Sequence, residues 1–124
     1  MKVLLVEDDD IAVQQYGRAL RCGRFEVVTV SNGDAALRKI AADPPAVILI
    51  DLTLRPVAIV ELVRAVRARE YGRDTPLAIL TGEYYGFQMA LEEELKILNA
   101  SLFYKPLLPE HLVFITRALA DRET

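Results

Sequence analysis

The sequence lacks features that several classes of protein require. It has one cysteine, Cys22, so no internal disulfide can form, a reducing compartment is expected, and we interpret Cys22 as a packing residue. The net charge of −3 provides no surplus of Lys and Arg for a nucleic-acid-binding face. No apolar stretch resembles a signal peptide or approaches the roughly 18 residues of a membrane span. These absences predict a cytoplasmic protein that contacts neither nucleic acid nor membrane directly.

What the sequence does contain is enough apolar material for one core. Its 124 residues are 52% hydrophobic and 27% charged, which predicts a single domain over 1–124. Three apolar runs, VLLV, VILI and LAIL, are continuous, as in parallel strands covered on both faces, whereas the second run alternates and suits a sheet edge. The five predicted strands are Lys2 to Val6, Glu26 to Val30, Ala46 to Ile50, Leu77 to Leu80 and Leu102 to Tyr104.

Helical patterns separate these runs. Apolar residues recur at helical spacing in three stripes, and Pro109 suits the first turn of a last helix. Arginines 64, 67 and 69 lie among glutamates, which favours a solvated helix face. Alternating strands and helices predict an α/β fold with a doubly wound parallel sheet. The stripes are Val13, Tyr16, Gly17 and Leu20; Ile59, Leu62, Val63 and Val66; and Leu112, Ile115 and Leu119.

Polar side chains stand directly after the predicted strands. In a doubly wound sheet, function gathers beyond the carboxyl ends of the strands, so these residues are the candidates for a site. Acids there would be held close together, which is costly unless a cation or a proton intervenes, and Mg²⁺ prefers such oxygen ligands. The residues are Glu7, Asp8, Asp9, Asp51, Thr81 and Lys105.

Together these groups suit phosphoryl transfer. Glu7 and Asp8 would hold the ion while Asp51, which shares the ion as a further ligand, attacks phosphorus through its carboxylate. Thr81 would donate to a phosphoryl oxygen and Lys105 would place a positive charge against another. An acidic run before a helix is also a capping signal, and we assign that structural role to Asp9 and Asp10.

The sequence resembles the response-regulator receiver family over nearly its whole length. The matching segments are LLVEDD, VILIDLTL, LAILTG and YKP. The resemblance implies a flavodoxin-like sheet of order 2-1-3-4-5 with five helices on both faces. It also implies Asp51 as the phosphorylation site, Glu7 and Asp8 as metal-binding acids, and the Thr53 carbonyl as a metal ligand. Thr81 would be the switch hydroxyl, Lys105 the phosphate-sensing amine, and the bond before Pro106 cis.

Several positions depart from that family's pattern. A proline usual four residues after the acceptor stands one residue later, as Pro56, and the third helix is expected to begin there. Leu102 replaces the aromatic residue whose rotation reports the state of the site, so this switch is either absent or moved to Phe103 or Tyr104. Ser101 replaces an acid of family members that dimerise, which favours a monomer or weak dimer. Three aromatics, Tyr84, Tyr85 and Phe87, either pack the fourth helix or form a partner surface.

Three functions remain open. The first is a working receiver, in which a histidine kinase or phosphotransfer protein supplies the phosphoryl group and a target protein or output domain senses it. His111 lies in the last helix, far in sequence from the strand ends, so the donor histidine should belong to another protein. The second is a degenerate receiver that binds proteins without phosphate. The third, a phosphohydrolase, is disfavoured because Thr53 occupies the position of the expected second Asp.

Overall fold

The computed structural model describes residues 1–82 and 89–122. Five parallel strands form one sheet in the order β2-β1-β3-β4-β5, which confirms the predicted fold class. All five predicted strands are present, each within one residue of its expected bounds. The strands are β1 (Lys2–Glu7), β2 (Glu26–Val30), β3 (Val47–Asp51), β4 (Leu77–Thr81) and β5 (Ser101–Tyr104).

Helices connect the strands on both faces of the sheet. Asp9 caps α1 by accepting from the Ala12 N–H at 3.1 Å, as predicted, and Asn32 caps α2 in the same way. Pro56 and Pro109 begin α3 and α5, because the N–H that proline lacks would be unpaired in a first turn. The helices are α1 (Asp10–Cys22), α2 (Gly33–Ala42), α3 (Pro56–Arg67), α4 (Met89–Ile97) and α5 (Pro109–Asp121), with a 3-10 turn at Glu70–Gly72.

Two apolar layers lie on opposite faces of the sheet. Alternate residues of the central strands point to either side, so Leu4 and Ile48 pack against α2, α3 and α4, whereas Leu5 and Leu49 pack against α1 and α5. Strands β1, β3 and β4 are almost wholly buried, and the edge strands β2 and β5 are half-buried. The continuous patterns of β1, β3 and β4 and the alternating pattern of β2 therefore report whether these four strands are central or at an edge.

Cys22 was wrongly predicted to be a packing residue, because its side chain is exposed. The buried face of α1 carries Tyr16, Gly17 and Leu20. Cys22 lies two positions after Leu20, which turns it about 200° around the helix and away from that face.

The prediction of a solvated arginine face is correct for Arg64 and Arg69, which are exposed, and wrong for Arg67. Arg67 follows the buried Val63 by one helical turn and lies at the border of the apolar stripe. Its guanidinium is half-buried at the amino ends of β4 and β5, where it donates to four backbone carbonyls. The acceptors are those of Gly72, Thr75, Leu98 and Asn99, at 2.8, 2.6, 2.7 and 3.0 Å.

Candidate functional site

Two carboxylates face each other at the carboxyl edge of the sheet. Glu7 ends β1 and Asp51 ends β3, and the two residues are direct neighbours in the parallel register. They are 3% and 5% exposed, and one oxygen of each, Glu7 Oε2 and Asp51 Oδ2, is buried with no hydrogen-bond partner. Since ionised carboxylates can only accept, the two oxygens can bond to each other only through a shared proton or a bound cation.

Burial beside Asp51 disfavours the charged form of Glu7 and so raises its pKa. Burial raises the pKa of the Glu7 carboxyl to about 8, and the neighbouring Asp51 adds to the rise because a proton on Glu7 can be shared with it and because its negative charge opposes ionisation. The Asp9 N–H, which donates to Glu7 Oε1 at 3.1 Å, and the charge of Lys105 oppose this rise. Near neutral pH the pocket therefore retains a proton unless another positive charge replaces it.

Lys105 supplies the positive charge nearest to Asp51. Its Nζ lies 2.6 Å from Asp51 Oδ1, so this ammonium holds the second oxygen of the carboxylate. Burial alone would lower the pKa of the Lys105 ammonium, but the bond to Asp51 and the charges of Asp51 and Glu7 outweigh burial and raise it. Lys105 is thus fully charged at physiological pH, and the bond to Pro106 that follows it is cis, as expected.

Asp8 is held by a different partner. Its Oδ2 accepts from the Thr53 N–H at 3.1 Å and its Oδ1 accepts from the Thr53 hydroxyl at 3.3 Å. Within 1–82 and 89–122, no three His, Cys, Asp or Glu side chains form a group that could hold a metal ion. The predicted metal ligands Glu7, Asp8, Asp51 and Thr53 therefore lie at one edge of the sheet without forming a complete cage.

Thr81 ends β4 and is half-buried. Its backbone carbonyl accepts from the Lys105 N–H at 2.7 Å, and it pairs with Tyr104 of β5 in the sheet. The backbone thus places Thr81 beside the residue that holds Asp51. The role of its hydroxyl stays a prediction.

The three residues considered for a switch in β5 point to different places. Leu102 packs against the apolar layer formed with α3 and α4, and Phe103 packs on the opposite layer. The Tyr104 hydroxyl donates to Glu92 Oε1 of α4 at 3.0 Å. Tyr104 is therefore an aromatic side chain of β5 with a polar connection to α4, on the same face as Leu102.

Sequence reasoning did not place Tyr16 near the site. It was assigned only to the apolar stripe of α1, yet its pKa is raised by burial and is sensitive to Lys105, Asp51 and Glu7. Its hydroxyl donates over a long 3.5 Å to the Leu107 carbonyl, in the loop after Lys105. A tyrosine in a buried stripe is itself a signal, because its hydroxyl needs a polar partner.

His111 is exposed, in agreement with its predicted surface position. The aromatic residues Tyr84, Tyr85 and Phe87 lie outside the described residues, so neither interpretation of them is tested. No helix in the described part of the chain is long and apolar enough to cross a membrane.

The donor set fits a hard divalent cation. Glu7 Oε2 and Asp51 Oδ2 are buried oxygens without partners, and the acid of Asp8 stands at the rim of the same edge. Mg²⁺ takes oxygen ligands, keeps several waters, and would supply the charge that the two facing carboxylates lack. These two partnerless oxygens are the observation on which the fit depends.

The chain matches the model of the response regulator receiver domain over residues 3–115. It therefore belongs to the response regulator receiver family, whose members act in two-component signalling.

Relatives by sequence include two mycobacterial regulators. The transcriptional regulatory protein PrrA of Mycobacterium tuberculosis is 34% identical over 80 residues, covering 64% of this chain and 34% of PrrA. The response regulator MprA of Mycolicibacterium vanbaalenii is 28% identical over 127 residues, covering 100% of this chain and 52% of MprA. The chain thus spans about a third to a half of the length of these relatives.

Solved structures agree with this assignment. The chemotaxis response regulator CheY4 of Vibrio cholerae superposes with a TM-score of 0.81 at 29% identity, covering 95% of this chain and 97% of CheY4. The receiver domain of the sensor histidine kinase PA1611 of Pseudomonas aeruginosa superposes with a TM-score of 0.77 at 27% identity, covering 97% of each chain. That structure holds a magnesium ion in its active site cleft.

Proposed function

We propose that this receiver domain accepts a phosphoryl group on Asp51, with Mg²⁺ bound at the carboxyl edge of the sheet, and thereby changes its affinity for a partner. The observation that carries the proposal is the buried pair of Glu7 and Asp51 beside the ammonium of Lys105. A fold whose only need was stability would not retain two facing carboxylate oxygens without partners. The arrangement becomes favourable when positive charge is bound there.

The side chains divide the work of the transfer. An Asp51 oxygen forms the new P–O bond while the bond from phosphorus to the donor breaks, and the donor group leaves with that electron pair. Lys105 already contacts Asp51 and would remain against the acquired negative charge. Glu7, Asp8, Asp51 and the Thr53 carbonyl would hold Mg²⁺, which neutralises the oxygens of the transferred group. Thr81, at the end of β4, would donate its hydroxyl to one of them.

The partners follow from this chemistry. The donor would be a histidine kinase or a phosphotransfer protein, because His111 is exposed on α5 rather than part of the site. The receiver of the signal would be a target protein or an output domain. We further propose a single domain over 1–124, a monomer or weak dimer, a cytoplasmic location, and no direct contact with nucleic acid or membrane.

The direct test is incubation with acetyl phosphate and Mg²⁺ followed by intact mass measurement. The wild type should gain the mass of one phosphoryl group, and Asp51→Asn should gain none. His111→Gln is the matched control and should be phosphorylated like the wild type. A wild type that stays unmodified, or an Asp51→Asn variant that is still modified, would overturn the proposal.

A degenerate receiver that binds proteins without phosphate is the second candidate. Two observations favour it: Leu102 is packed into the apolar layer, and Asp8 is bound to Thr53 rather than gathered with the other acids. NMR titration with Mg²⁺ and beryllium fluoride separates the candidates. Amide shifts in β4, α4 and β5 support the working receiver, whereas a spectrum unchanged at millimolar concentrations supports the degenerate one.

Catalytic turnover of phosphate is a poorer proposal. Thr53 stands two residues after Asp51, and its hydroxyl cannot act as the acid and base that an aspartyl-phosphate hydrolase needs there. We therefore infer that the domain is not an enzyme. Continuous release of phosphate from a small phosphomonoester would contradict this.

A further inference from the structure

Asp8 differs from the other two acids of the site in how its oxygens are used. Glu7 and Asp51 each keep one buried oxygen without a partner. Asp8 has both oxygens engaged by one residue, Thr53, which lies 45 positions away in the loop between β3 and α3. Of the three acids, Asp8 is therefore the one whose two oxygens both have hydrogen-bond partners already.

The two bonds from Thr53 are unequal. The backbone N–H donates at 3.1 Å, and the hydroxyl donates at 3.3 Å as a rotatable, solvent-accessible group. A hydroxyl that can turn to water is released more easily than a backbone amide held by the loop. The hydroxyl bond is thus the adjustable part of the contact, and side-chain substitution can remove it alone.

Asp8 is hydrogen-bonded to Thr53. This agrees with the finding that no three acids within the described ranges form a group that could hold a metal ion. We propose that Thr53 is a positioning residue, whose hydroxyl holds Asp8 in the metal-free state and lowers the affinity of the site for Mg²⁺. Ion binding then exchanges this hydrogen bond for coordination by Asp8. The inference rests on the proposed function, since it concerns the same metal site.

The contact also connects two loops. Asp8 follows β1, whereas Thr53 precedes α3, which begins at Pro56. Drawing Asp8 away from the Thr53 hydroxyl frees a side chain of the β3–α3 loop. Mg²⁺ should therefore change the environment of that loop before any phosphoryl group arrives.

The test is NMR titration of the whole chain with MgCl2, following amide shifts of the wild type, Thr53→Val and Thr53→Ser. Valine has the shape of threonine without the hydroxyl, so Thr53→Val should bind Mg²⁺ roughly threefold more tightly. Serine keeps the hydroxyl, so Thr53→Ser should bind like the wild type. Thr29→Val, on the exposed face of edge strand β2, is the matched control and should not change the dissociation constant.

The outcomes separate the two proposals. A Thr53→Val dissociation constant equal to or larger than that of the wild type, or a Thr53→Ser variant that binds as tightly as Thr53→Val, overturns the role of the hydroxyl while the proposed function stands. No Mg²⁺ binding by the wild type or Thr53→Val overturns both. A second readout requires no ion: in metal-free protein the amide of residue 8 should shift between wild type and Thr53→Val but not with Thr53→Ser.

Discussion

The two ends of the sheet treat buried charge in opposite ways. At the amino ends of β4 and β5, the half-buried guanidinium of Arg67 donates to four backbone carbonyls. At the carboxyl edge, Glu7 and Asp51 are buried side by side, and each keeps an oxygen without a partner. Because unsatisfied buried polar groups cost stability, the amino ends of β4 and β5 stabilise the fold, whereas the carboxyl edge is arranged to bind a ligand.

Loss of the hydrogen bonds made by Arg67 should destabilise the folded protein strongly. Arg67→Met keeps the aliphatic stem but removes the donors of four carbonyls, and should lower the free energy of unfolding by about 2–4 kcal/mol. Urea denaturation measures this, with Arg69→Met as the control. The exposed Arg69 lies just after the end of α3 and donates to the Ala65 carbonyl, so that control should change stability by no more than about 0.5 kcal/mol. Equal effects of the two variants would contradict the assignment.

The buried pair of Glu7 and Asp51 at the carboxyl edge should make the free energy of unfolding depend on pH. The pKa of Glu7 is raised from 4.5 to about 8 in the folded protein, so the folded state binds its proton more tightly than the unfolded state. Without metal, the stabilisation from this group is complete near pH 4 and is lost as the pH rises towards 8, by at most about 1.4 kcal/mol per pH unit. Mg²⁺ replaces the proton, so its stabilising effect should grow over the same range. Denaturation at pH 5 and pH 8, with and without MgCl2, measures both; a metal-free protein more stable at pH 8 would contradict this.

Removing one of the two facing carboxylates should relieve the repulsion between Glu7 and Asp51. Glu7→Gln replaces an acceptor with an amide that can donate to Asp51 Oδ2, leaving the contact between Asp51 and Lys105 in place. We expect the metal-free variant to be about 1 kcal/mol more stable than the wild type at pH 8, and about equal to it at pH 5. It should also lose most of its stabilisation by Mg²⁺. A variant less stable at pH 8 would show that the carboxylate pair is not a source of strain.

Asp9 is next to Asp8 in the chain, but its side chain should affect stability and not phosphorylation. Asp9 caps α1, so Asp9→Ala should cost about 0.5–1 kcal/mol in unfolding free energy. Uptake of one phosphoryl group from acetyl phosphate should persist, because the site contact made by Asp9 uses its backbone N–H. Asp9→Asn, which can still accept from the Ala12 N–H, should recover most of the stability. Loss of phosphorylation in Asp9→Ala would show that the cap and the site are not separable.

Much of the fold was predictable because burial on both faces leaves a visible pattern. The continuous runs mark the central strands, and the alternating run correctly marks the edge strand β2. The site was partly predictable for a related reason. Polar residues such as Asp51 and Lys105 stand out directly after apolar runs, and parallel strands bring such positions to one edge. Their roles in chemistry stay proposals.

The failures have other causes. Cys22 lies outside the apolar stripe of α1, so the stripe itself already indicated an exposed position. The partners of Arg67 depend instead on which loops pass beside the end of α3. The connection of Tyr104 to Glu92, and that of Thr53 to Asp8, joins residues on separate elements. Periodicity within one element contains no information about such partners, because they are decided by register, crossover geometry and side-chain rotamers.

Local periodicity and composition in the amino-acid sequence are enough to predict the α/β class, the five strands, the helices α1, α3 and α5, and the set of polar residues at the carboxyl edge. Packing of the whole chain is needed to establish that Glu7 and Asp51 stand directly opposite with partnerless oxygens, that Lys105 holds one side of Asp51, and that Asp8 is bound to Thr53. Those facts depend on distances of a few ångströms between residues far apart in the chain, which packing of the whole sheet establishes.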